Sequence, residues 1–161
     1  MTTAANKGAP ENSSEAIRRT VELLGGARML PRHVTNALEA HELLLSGLPG
    51  HALGHLVARL TILGEADFLE SAIGMSVRTY QRRKDAPSKP LSLAQSGRVW
   101  MFAEVLTTAI DVLGSQEDAE QWLKRPAIGL DWHRPVDLLS TPVGVELVED
   151  YLRQLQYGVY A

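Results

Sequence analysis

The side chains best equipped for recognition chemistry lie together in the run GMSVRTYQRRK at 74–84. Arg and Gln can each make paired hydrogen bonds to a base edge, so Arg78, Gln81 and Arg82 are candidates for reading sequence in a major groove. Thr79, Arg83 and Lys84 suit phosphate oxygens, which fix register without carrying sequence information. From Ser76 to Pro90 five basic residues stand against one acidic residue, a local charge of +4. To enter a groove these side chains need one helix packed across the next through a tight turn. Gly74 is placed for that turn. Leu69, Ile73, Met75, Val77 and Tyr80 fall where the two helices would touch, which leaves Arg78, Thr79, Gln81 and Arg82 on the outer face. Two positions depart from a helix-turn-helix: Glu70, where a small residue is usual four before the turn glycine, and Arg83, at an expected apolar site. The competing reading of this pattern is a helical pair with a solvated basic face.

Other polar groups carry less. His51 and His55 stand one helical turn apart, but two ligands do not make a metal site, and the chain has no cysteine to complete one. His133 follows Trp132 in a turn-like stretch with no nucleophile beside it. Glu146, Glu149 and Asp150 fall early in an expected helix, where the helix dipole favours acids. Phosphate-binding glycine loops, nucleophile elbows and dinucleotide fingerprints are absent from the sequence. These observations predict a protein that is not an enzyme, with no catalytic residues, no metal and no cofactor. Trp100, Trp122 and Trp132 read as core.

The elements that must position these groups read as helices throughout. The chain has 161 residues, 45% of them hydrophobic, enough to bury a sizeable core. Prolines and glycines recur at helix-length intervals and hairpin patterns are lacking, so the expected fold is all-α. Helices are expected over 15–24, 34–45, 51–60, 65–73, 76–84, 93–113, from Ser115 to Pro126, and from Thr141 to Gly158. The second would present Val34, Leu38, His41 and Leu45 along its core side. The long helix over 93–113 would join two modules, with Trp100 and Phe102 either forming a dimer surface or being fully used inside the monomer. Charge divides along the same line: twelve Lys and Arg against nine Asp and Glu up to residue 99, then four against ten. One end can meet phosphate and the other repels it. The first fifteen residues lack a signal-peptide core and no run is apolar enough to cross a membrane, so the expected location is the cytoplasm.

Several motifs then fall in a telling order: GLP at 47–49, GMSVRTYQRRK at 74–84, LS at 91–92, followed by AEQWLKRP, RPVDLLSTPVG and YGVY. Over about 47–160 the chain resembles the Xre-type antitoxins of bacterial toxin–antitoxin operons, whose C-terminal region is the MbcA/ParS/Xre toxin-binding domain. Residues 1–32, outside the resemblance, read as a flexible N-terminal extension with a short helix; the resemblance implies an Xre-like helix-turn-helix DNA-binding domain at 33–92 and a toxin-binding domain at 93–161. It implies as partner a RES-domain toxin that degrades NAD, whose active-site cleft the C-terminal domain would block. It implies repression of the chain's own operon through operator DNA. Trp122, Leu123, Pro135, Leu138, Leu139 and Gly144 match the family's scaffold. Tyr157, Gly158, Val159 and Tyr160 match its terminal segment and, with Arg153 and Ala161, form the expected toxin-binding set. A single reading helix buries too little to hold an operator alone, so a homodimer or a higher complex with toxin is expected. The alternative is a helix-turn-helix regulator whose C-terminal module only mediates self-association.

Overall fold

The computed structural model describes residues 9–158, and every regular element among them is helical. The eight α-helices are α1 (Ala9–Leu23), α2 (Ala37–Ser46), α3 (Gly50–Arg59), α4 (Ala66–Ile73), α5 (Val77–Lys84), α6 (Leu93–Leu113), α7 (Gln116–Lys124) and α8 (Pro142–Gln156). Short 3-10 turns occupy Gly26–Arg28, Ile62–Gly64, Ile128–Leu130 and Pro135–Ser140. The all-α expectation holds.

Local chemistry sets most of the boundaries. Ser76 accepts from the Thr79 amide at 3.1 Å and starts α5, while Gly74, in the left-handed conformation at φ 71°, ends α4. Ser92 and Gln95 cap each other's backbone in a reciprocal box that starts α6, and left-handed Gly114 stops it. Thr141 accepts from the Gly144 amide at 3.0 Å, with Pro142 in the first turn of α8.

α6 is the axis of the molecule. Val99, Trp100, Phe102, Ala103, Val105, Leu106 and Ala109 are buried around its circumference, because α1, α2, α4, α7 and α8 all pack against it. Trp100 and Phe102 are 6% and 1% exposed. Of the two expectations for these residues the second holds and the dimer surface does not, since their apolar area is covered within the chain. One apolar core runs continuously from Ile17 to Leu152.

α2 also differs from expectation. Asn36 caps it, so it begins at Ala37, and it buries Ala40 and Leu43. Leu38 and Leu45 are 66% and 58% exposed, and His41 is exposed. Apolar residues occur on more than one side of this helix, so spacing alone could not choose the inward face. The choice belongs to the packing of α2 on α1 and α6.

Polar contacts tie the basic half to the acidic half. Lys124 on α7 pairs with Glu65 at 2.7 Å, and Arg134 pairs with Asp67 at 3.1 Å; both cations lie over the Phe68 ring, at 5.2 and 4.8 Å from its centroid. Glu120, only 6% exposed, accepts the Ile62 amide at 2.9 Å. An isolated antiparallel bridge, Pro49 with Pro90, brings the start of α3 to the approach of α6, and the Leu91 amide donates to the Leu48 carbonyl at 2.8 Å. Gly47, in the GLP motif, is required there: its φ is 87° and a Cβ would lie 2.5 Å from the Leu91 carbonyl oxygen.

Candidate binding surfaces

α4, the glycine turn and α5 set out the basic helix. Leu69, Ile73 and Met75 are buried and Tyr80 is half-buried against the core, while Val77 is 43% exposed. Arg78, Gln81, Arg82 and Lys84 are exposed, as a reading helix requires. Thr79 is half-buried and its hydroxyl oxygen accepts from Ser76 at 3.0 Å. Arg83 turns the other way, donating to Gln95 Oε1 on α6 at 3.1 Å with its Nε buried and unpaired. The structure thus places four of the six basic-helix candidates on open surface and spends the other two locally.

Sequence reasoning passed over the residue that ties the end of α4 and the turn glycine to α6. Arg98 on α6 donates from Nη2 to the Ser71 and Ala72 carbonyls, at 3.0 and 3.3 Å, and its guanidinium lies over Gly74. These are carbonyls at the C-terminal end of α4, so a cation there satisfies both hydrogen bonding and the helix dipole. Burial pushes the Arg98 guanidinium below its ordinary range. An arginine one turn into a following helix is not a sequence signal for this role.

The second surface lies in the acidic half. From 108 to 158, nine Asp and Glu stand against four Lys and Arg, a net −5. Among the expected toxin-contact residues, Arg153 is exposed and paired with Asp150 at 2.6 Å, Tyr157 is 74% exposed, and Gly158 is left-handed at φ 68°. Val159, Tyr160 and Ala161 lie outside the described residues. Glu104 on α6 and Glu149 on α8 are raised above the ordinary carboxylate range, in both cases chiefly by burial. The Trp100 indole, donating to Glu104 at 2.7 Å, and Arg153 beside Glu149 oppose those shifts. Arg134, bound to Asp137 through two hydrogen bonds at 2.7 and 2.8 Å, holds that carboxyl below its usual range.

Between α7, the loop after it and α8 lies a cleft of about 400 Å³. Trp122 and Tyr151 stack in it with ring centroids 6.1 Å apart. Trp122 is half-buried, close to its expected core role, whereas Trp132 departs from it at 66% exposed. Both Asp131 and Trp132 are left-handed, at φ 51° and 64°. A Trp-His pair in a loop bounded by Gly and Pro was the available signal. Among the described residues no three His, Asp or Glu side chains group to hold a metal, and His51 Nε2 donates to the Met29 carbonyl at 2.9 Å. No helix among them is long and apolar enough to cross a membrane.

Residues 108–158 match the family model of the antitoxin Xre/MbcA/ParS C-terminal toxin-binding domain. An antitoxin Xre of Photorhabdus laumondii is 32% identical over 97 residues, covering 60% of this chain and 64% of that one. An antitoxin Xre of Pseudomonas putida is 28% identical over 102 residues, covering 63% and 64%. The chain thus spans about 64% of the length of these curated relatives.

Proposed function

We propose that this chain is the antitoxin of a type II toxin–antitoxin system, a regulator and not an enzyme, because residues 108–158 match the antitoxin Xre/MbcA/ParS C-terminal toxin-binding domain. The family match over α7 and α8 carries the reading, and the two similar antitoxins support it. The partner is a RES-domain toxin that degrades NAD. Arg153, Tyr157 and the residues that follow it reach the toxin's active-site cleft and deny it substrate. Through α5 the chain also binds operator DNA in its own promoter: Arg78, Gln81 and Arg82 read bases, and Lys84 holds phosphate. At least two copies act together, because one reading helix buries too little surface to grip an operator alone.

The test is coexpression in bacteria with the product of the adjoining reading frame. That product alone should arrest growth and drain NAD, and this chain should restore both. Arrest without NAD loss would assign another toxin class; no protection would overturn the antitoxin reading. A second reading, a regulator whose C-terminal module only self-associates, draws on Val143 and Leu147, which are 68% and 51% exposed one turn apart on α8. It requires a dimer that dissociates when those residues become Ser, with no effect on any toxin.

A further inference from the structure

Among the described residues, five large apolar side chains are exposed in the acidic half: Val143, Leu147 and Tyr157 along α8 and at its end, and Ile128 and Trp132 on one braced loop. We infer that residues 126–133 and the adjoining cleft form a preformed anchor site for the toxin, separate from the terminal residues; this rests on the antitoxin reading above. The site would accept a toxin surface segment that carries a large apolar side chain flanked by Lys or Arg.

Rigidity is the first support. The Ala127 amide donates to the His133 carbonyl at 3.1 Å and the Trp132 amide to the Ala127 carbonyl at 2.9 Å, closing the loop on itself. Gly129 lies so close to Tyr151 that a Cβ there would sit 2.3 Å from the ring. Ile128, next to it, is consequently held 66% exposed at the rim of the cleft. Two consecutive non-glycine residues in the left-handed region cost free energy that hydrogen bonding must offset, and here they present Trp132 to water, also 66% exposed. A backbone already braced in this way has little conformational freedom left to lose on docking.

The cleft supplies the complementary half. Leu113, Trp122, Ile128 and Tyr151 wall it with apolar surface and Arg125 stands at its edge. Stacked Trp122 and Tyr151 offer an aromatic floor to an entering side chain. Charge then selects the occupant. Asp118, opposite in charge to Arg125, lines the cleft, Asp131 adjoins Trp132, and residues 108–158 together carry −5. A second copy would bring the same acidic surface against itself, whereas a basic toxin surface would be drawn in. The site also lies wholly inside the residues that match a toxin-binding family.

The experiment measures binding of the full chain to the purified product of the adjoining reading frame by titration calorimetry. Ile128→Ser and Trp132→Ala should each weaken binding tenfold or more, and the double variant a hundredfold, with helicity and Tm unchanged because both side chains already face water. Trp132→Phe should keep most of the affinity, which a loop collapsed by the substitution would not. Leu38→Ser, equally exposed but on α2, should bind as the unsubstituted chain does. Unchanged affinity in the double variant would overturn the anchor site and leave the antitoxin reading standing. No binding by the unsubstituted chain would overturn both. Loss of self-association in the double variant, with toxin affinity intact, would transfer the surface to a second copy and overturn the proposal.

Discussion

Glu104 accepts the Trp100 indole N–H at 2.7 Å while burial, with Glu149 nearby, lifts its carboxyl above the ordinary carboxylate range. The folded chain therefore holds a proton on Glu104 at pH values where the unfolded chain has already released it. Stability falls as pH rises through that interval and stays reduced above it. Glu104→Gln keeps an oxygen for the indole and removes the charge, so it should raise Tm at pH 7, with the gain shrinking as the pH approaches 4.5, the carboxyl's ordinary value. Thermal melts of both proteins across this range check it; a gain that grew on acidification would contradict the sign. On α5, Arg78→Ala or Arg82→Ala should cost about 1–3 kcal/mol of operator affinity and relax base preference, while Lys84→Ala should weaken all sequences and flatten the salt dependence. Gel-shift titrations at two salt concentrations read both effects. Arg83→Ala should act instead through the loss of its bond to Gln95, as a change in stability. That division of α5 was only partly legible in the sequence. Spacing marked the exposed Arg78, Gln81 and Arg82, but which way Arg83 turns depends on a glutamine twelve residues later.

Caps and glycines made the elements readable. Ser92 and Gly114 bound α6 where the sequence places its ends, because both signals act within one turn of backbone. Gly144 shows the other kind of glycine. It is buried in the first turn of α8, where a Cβ would lie 1.8 Å from the Leu138 carbonyl oxygen. Since the obstacle is backbone, Gly144→Ala should cost about 2–4 kcal/mol, by forcing α8 off the Pro135–Ser140 turn. Denaturant unfolding measures this directly. Glu120 acts between elements. Glu120→Ala would leave the Ile62 amide buried without an acceptor and should cost about 2 kcal/mol, visible as a lowered Tm. Its role could not be read from its position, because a glutamate in a short amphipathic helix ordinarily faces water. The inward face of α2 was hidden for a related reason: tertiary neighbours, not periodicity, decide which of its leucines are covered.

At the scale of the whole molecule, the basic and acidic halves share α6, one apolar core and the cation pair over Phe68. Calorimetry should accordingly show one cooperative transition, with calorimetric and van't Hoff enthalpies in agreement. Two resolved peaks would mean that the halves melt separately. The placement of the three tryptophans has an optical consequence. Trp100 is 6% exposed and hydrogen-bonded to Glu104, Trp122 is half-buried against Tyr151, and Trp132 is 66% exposed. Their emission should divide into a buried blue component and a hydrated red one, and iodide should quench the red component first. A partner that covers the 126–133 loop would shift that red component to the blue and shield it from iodide, so the unlabelled chain can report its own occupancy by fluorescence.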